Sequence, residues 1–195
     1  MTTTLAAGAL DQIFGGARSN HRFDDRAIGD DTLRQLYELT KLAPTGFNAQ
    51  PARYVFVRSA EAKARLAPVL SSSNRDKTLA APLNAIVAWD SRFFEHLPQL
   101  LPGRDVAAYF VEEEPIRSAG VFNAALQAAF LIVAARSLGL DAGPMTGFNA
   151  AALDREFFPD GRLRSLLVLN LGYGDRSEIR ERGPRLAFED AVRVL

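Results

Sequence analysis

Residues 117–140 read RSAGVFNAALQAAFLIVAARSLGL, the longest helical stretch in the chain, with Gly139 as its C-terminal stop. Apolar residues fall on nearly every side of this helix and not along one stripe. A helix of that kind offers no face to water. It belongs at the centre of a domain or against a second subunit.

Its flanks follow the same logic. LDAGPMTGF (140–148) has little side-chain bulk and reads as a tight loop whose backbone N–H groups can come close to a ligand plane. Beyond it, LDREFFP (153–159) is a short helix, LRSLLVLNLGYG (163–174) a strand and LAFEDAVRVL (186–195) a terminal segment. Upstream, residues 5–15 form a short helix, and DDTLRQLYELTKLAP (30–44) an amphipathic one, capped by Asp and stopped by Pro44. RYVFVRS (53–59) is a strand apolar enough to be buried on both faces. AEAKARLAPVL (60–70) is helical, and the polar SSSNRDKTLAAP (71–82) leads into a second buried strand, LNAIVAWD (83–90). Residues 91–120, broken by Pro98, Pro102, Gly103 and Pro115 and with an acidic run at 112–114, read as a surface excursion or lid outside the core. With no repeats and no low-complexity linker, residues 1–195 fit one α+β domain.

The totals narrow the function classes. The 195 residues carry 23 basic and 23 acidic side chains, so nothing points to nucleic acid or an acidic membrane as partner. Twenty of the 23 basic residues are Arg. That is either compositional habit or a supply of forks for bidentate anion binding. The absence of cysteine excludes disulfides and thiolate chemistry. His21 and His96 stand apart without carboxylates at metal-ligand spacing, so no metal is expected. NLGYGD (170–175) is neither a dinucleotide fingerprint nor a phosphate loop. The N-terminus lacks the marks of a secretory signal, and no stretch approaches the roughly 18 apolar residues of a membrane span. The cytoplasm is the expected compartment.

Four polar clusters remain. Arg18, Ser19, His21 and Arg22 either grip a phosphate or form a solvated turn. In LAPTGFNAQPARYVFV (42–57), Asn48 and Gln50 either face the edge of a heterocycle or close an Asx-type turn before the strand. Asn74 and Lys77 share a helical face, pointing at one ligand or simply opening a helix. The fourth is the Gly143–Gly147 segment.

Their order carries more than any one of them. R-S-x-x-R comes first, then P-x-x-x-N-x-Q-P before a strand, then N-x-x-K, the long helix running into LGLDAGPMTGF, and a terminal RGPRLAFED. This order resembles the FMN-dependent nitroreductase family over almost the whole length. LSSSNRDKTLAAPLNAIVAWDSRFFEHLPQLLP (70–102) and LGLDAGPMTGF resemble its NADH dehydrogenase/NAD(P)H nitroreductase branch, which includes the malonic semialdehyde reductase (3-hydroxypropanoate dehydrogenase) of pyrimidine utilisation.

The resemblance implies a central, mainly antiparallel sheet flanked by helices, in an intertwined homodimer with FMN at each interface. It implies Arg18, Ser19 and Arg185 as phosphate ligands, with His21 or Arg22 as a further one. The family's lysine two before Arg185 is Gly183 here, with Arg182 beside it. Pro44, Thr45 and Gly46 match a segment reaching the partner's flavin, and Asn48 the asparagine of that loop. Asn74 and Lys77 match residues at the pyrimidine edge and ribityl chain, Lys77 facing charge at N1/O2. Met145, Thr146 and Gly147 match the strip near flavin N5, where many relatives have Glu at the Thr146 position. The implied reaction is ping-pong hydride transfer from NADH or NADPH through FMN to a small acceptor: malonic semialdehyde, or nitroaromatics and quinones. Two other classes fit the residues, a flavin-binding module without turnover and a structural α+β dimer.

Overall fold

The computed structural model describes residues 3–175, 177 and 181–195. Strands β1 (Ala52–Val57), β2 (Leu83–Asp90), β3 (Asp141–Met145) and β4 (Leu163–Gly172) form one antiparallel sheet in the order β1-β2-β4-β3. The helices are α1 (Ala7–Leu10, continued by a π-helical turn, Asp11–Gly15), α2 (Asp30–Thr40), α3 (Ala60–Leu66) and α4 (Ser72–Ala80). They continue with α5 (Leu97–Leu100), α6 (Glu113–Ser137), α7 (Ala150–Phe157) and α8 (Phe188–Ala191).

Strand alternation divides the core into two layers. Leu83, Ala85 and Val87 of β2 pack with Leu131 and Ala135 of α6 and Leu36 of α2. Ile86 and Ala88 pack on the opposite face with Leu66 of α3 and Leu153 of α7. β2 is buried at every position, as its largely apolar pattern requires, with Asn84 and Asp90 as its buried polar residues.

The central-helix expectation for α6 holds, and Gly139 does end it with a φ of +78°. By length and mean hydropathy (1.7 over 18 residues) α6 could cross a membrane, which corrects the expectation that no stretch comes near. It packs instead on α2 and all four strands. Its buried amides are engaged with the fold: Ala52 N donates to Gln127 Oε1 (2.9 Å) and Gly46 N to Asn123 Oδ1 (2.7 Å). α6 is a core helix with one uncovered stripe, Phe122, Leu126 and Phe130, one turn apart.

Three further expectations are corrected. Residues 141–145 are a strand, not a loop, because pairing with β4 overrides a Gly-Pro pattern, and Pro is tolerated on a sheet edge. β1 is the other edge, with its middle four residues only half-buried, because apolar content does not say where in a sheet a strand lies. Of the 91–120 excursion, residues 113–120 open α6, and residues 91–112 have a small core of their own, in which Phe93, Leu97, Val106 and Phe110 bury Ala49. Buried Asp90 ties it down, accepting from Arg162 Nε and Nη2 (2.7 and 2.9 Å), Arg53 Nη2 (2.8 Å) and Arg92 N (2.9 Å).

Candidate active site

The two ends of the chain meet in one cavity of about 390 Å³. Arg18, Ser19, His21 and Arg22 line it from one side, Arg182 and Arg185 from the other. The meeting has a backbone cause. Asp24 N donates to Tyr173 O (2.8 Å) and Asp175 N to Arg22 O (3.1 Å), so the basic segment is paired to the chain leaving β4. Gly143 of β3 admits the segment closely, since a Cβ there would lie 2.7 Å from Asn20 O. Arg182 Nη2 donates to Phe14, Gly15 and Ala17 carbonyls (2.8, 2.8 and 3.0 Å), closing the end of the π turn. Arg18 Nη1 donates to Gly15 O and Ala17 O (2.8 and 2.9 Å).

The cavity is built to receive an acceptor. Among the described residues its lining holds five arginines, Arg136 being the fifth, against two carboxylates, Asp175 and Glu181. Arg18 Nε, Asn20 Nδ2 and Arg136 Nε are buried donors without an acceptor among the described residues. Buried donors left unpaired are costly, and an anion is the ligand that only accepts. The residues present therefore fit a phosphate.

A second group assembles beside it along β3. Ser71 N and Asn74 Nδ2 both donate to Gly147 O (3.0 and 2.9 Å), joining the start of α4 to the end of β3. A Cβ on Gly147 would lie 2.5 Å from Asn74 Nδ2, so only glycine permits the contact. Met145 is buried with its Sδ near Thr78 Oγ1 (3.7 Å), and Thr146 is exposed. Lys77 is half-buried and has no ion-pair partner among the described residues. Asn74, Lys77, Met145, Thr146 and Gly147 thus lie on adjoining segments.

The third group stays apart within one chain. Pro44, Thr45 and Gly46 line a separate apolar depression with Phe122 and Leu126 of α6. Asn48 is occupied by the fold: its Nδ2 donates to Leu100 O (3.0 Å), and its Oδ1 accepts from Gln50 Nε2 (2.9 Å). Phe47, Asn48 and Gln50 all have positive φ (56°, 53° and 44°). Three non-glycine residues in that region make a strained loop, the kind found at clamps and sites.

Sequence reading missed Asn84, Asn170, Lys63, Asn20 and Arg136. The first two carried a signal, a lone amide inside each of two apolar strand patterns. The other three are identifiable only by their neighbours in space.

The model of the family described as "Nitroreductase family" matches residues 16–173, and the chain belongs to that family. It is 53% identical over 196 residues, all of both chains, to the "Putative NADH dehydrogenase/NAD(P)H nitroreductase" of Rhodopseudomonas palustris (strain TIE-1). Among solved structures, it superposes with a TM-score of 0.85 on a "putative nitroreductase in complex with FMN" from Exiguobacterium sibiricum (23% identity; 99% of this chain, 100% of that). It superposes equally well on a "putative NAD(P)H:FMN oxidoreductase" from Staphylococcus epidermidis (TM-score 0.85, 20% identity, all of both chains). At those identities the structures speak for the fold.

Proposed function

We propose that this chain is a cytoplasmic FMN-dependent NAD(P)H oxidoreductase that acts as a homodimer on a small organic acceptor. The observation that carries the reading is the convergence of Arg18, Ser19, His21, Arg22, Arg182 and Arg185 on one donor-rich cavity.

In this reading the arginine cavity holds the FMN phosphate, while Asn74, Lys77 and the Met145–Gly147 strip hold the ring. Bound FMN supplies a ring that takes hydride from NADH or NADPH and gives it to the acceptor in a second half-reaction. The protein's part is positioning and electrostatics. Lys77 carries an unpaired ammonium to offset negative charge as it develops on the ring. Asn74 fixes the Gly147 carbonyl, and with it the backbone of the strip. Exposed Thr146, where many relatives have an acid, brings no titratable group, so solvent is the proton source in this scheme.

The homodimer is supported by apolar surface that nothing among the described residues covers. Phe122 is 65% exposed on α6 beside the Pro44–Gly46 depression, and the terminal arm exposes Leu186, Phe188 and Val194. A second copy placed there would bring Pro44, Thr45 and Gly46 to its partner's flavin, with Asn48 holding the loop that carries them.

The acceptor in the finer reading is malonic semialdehyde, reduced to 3-hydroxypropanoate; the alternatives are nitroaromatics and quinones. The test is anaerobic. Protein reconstituted with FMN is mixed with NADH or NADPH, and loss of flavin absorbance is followed, then its return on adding each acceptor. Failure to bind FMN overturns the reading. Bound flavin that neither nucleotide bleaches leaves a binding module instead. The acceptor with the highest kcat/KM names the substrate class.

A further inference from the structure

We propose that Arg136, at the C-terminal end of α6, is a further anion ligand of the arginine cavity and gives it selectivity for a dianionic phosphate monoester. The inference rests on the flavin reading above.

Arg136 belongs to neither basic segment, lying far along the chain after Arg22 and well before Arg182, yet it lines the same cavity as Arg18 and Arg182. Its place is fixed from two sides. Its Nη1 donates to Ile13 O (3.2 Å), and Gln12 Nε2 donates to its carbonyl (2.8 Å). Its Nε is buried and meets no acceptor among the described residues.

A basic residue in the last turn of a helix has an ordinary explanation, attraction to the negative end of the helix dipole. That explains a charge near the end of α6. It does not explain an unpaired, buried Nε in company with two more unpaired donors, Arg18 Nε and Asn20 Nδ2, at one cavity. Burial disfavours the charged form of Arg136; Asp141 offsets part of this, and nearby Arg182 adds to it. Arginine stays charged regardless. Arginines outnumber carboxylates among the described lining residues, and a terminal phosphate brings about two negative charges and several acceptor oxygens. The uncharged remainder of a flavin would gain nothing from Arg136, so the residue separates FMN from riboflavin.

The test compares FMN and riboflavin binding to the apo protein by fluorescence quenching at fixed salt, for wild type, Arg136→Met, Arg136→Lys and, as a control on the cavity, Arg18→Met. The expected result is a loss of about tenfold or more in FMN affinity for Arg136→Met, with riboflavin unchanged. Equal FMN affinity in wild type and Arg136→Met, with Arg18→Met weakened, overturns the proposal and leaves the flavin reading standing. Equal loss for FMN and riboflavin also overturns it, by making Arg136 a support for Gln12 and Ile13. If wild type itself does not prefer FMN to riboflavin, the phosphate reading fails and takes the proposal with it. Arg136→Lys keeps the charge and loses Nε, and serves where Arg136→Met does not fold. An FMN-selective loss there supports the proposal, and unchanged affinity overturns it.

Discussion

Asn84 on β2 and Asn170 on β4 are paired across the sheet, Asn84 Nδ2 donating to Asn170 Oδ1 at 2.9 Å. Both are fully buried. Asn84 Nδ2 also donates to Thr78 O (3.0 Å) and Asn170 Nδ2 to Lys77 O (3.3 Å). Those carbonyls belong to the last turn of α4, where helical partners run out, and Pro82 has no N–H to offer Thr78. Lys63 Nζ serves the next ones, Leu79 O and Ala81 O. Three side chains from elsewhere in the fold therefore hold the end of the helix that carries Asn74 and Lys77.

Asn84→Leu and Asn170→Leu each strand a carbonyl and should lower stability by about 1–3 kcal/mol. The double variant should cost less than the sum, because the pair is one network. Urea unfolding of the four proteins measures this, and additive losses would show two independent contacts.

Acid should release the Asp90 clamp. Burial pushes the Asp90 carboxyl up, but the Arg162 fork, the Arg92 amide and the Arg53 charge outweigh it and hold it below the usual carboxylate range. A depressed carboxyl contributes stability above its unfolded pKa of about 4 and loses it as pH falls through the folded value. Wild type should thus lose thermal stability below about pH 4. Asp90→Asn should start about 2–4 kcal/mol lower at neutral pH and fall less across that window. Parallel pH profiles would remove Asp90 from the acid response.

Gly147→Ala should push Asn74 off the Gly147 carbonyl, since the new Cβ would sit 2.5 Å from Asn74 Nδ2 and 2.8 Å from Ser71 Oγ. FMN affinity should drop about tenfold, and stability by about 1–3 kcal/mol. Wild-type FMN affinity in a destabilised variant would confine the contact to structure.

Lys77→Met should make bound flavin harder to reduce. Losing a nearby positive charge should move the two-electron potential about 30–60 mV more negative, each 30 mV being about 1.4 kcal/mol. Equilibration with reference dyes reads it. An unmoved potential with FMN still bound would place the ammonium away from the ring.

Asn48→Ala removes the ties to Leu100 O and Gln50 Nε2. Amide hydrogen exchange over residues 97–105 should quicken, with FMN affinity within about twofold of wild type. A fall in FMN affinity without faster exchange would give Asn48 to the ligand.

The sequence alone determined the elements whose pattern is local. β2 declared itself because a strand buried on both faces is mostly apolar in succession, as the Ala85–Trp89 run is. α6 declared itself because a helix without a polar face has to be central, and Gly139 marked its end. The ordered motifs also sufficed to collect the six cavity residues, since each keeps its side-chain chemistry wherever the chain puts it. The strand at 141–145, by contrast, carries Gly and Pro and exists through its pairing with β4. Asn48 looked like a ligand residue, and only the approach of Leu100 reveals that its amide is spent on the loop. Arg136, Asn20 and the Asn84–Asn170 pair share one reason for having gone unread. A helical arginine or a strand asparagine takes its meaning from the unpaired or paired atoms around it, and those atoms come from parts of the chain that only the fold brings together.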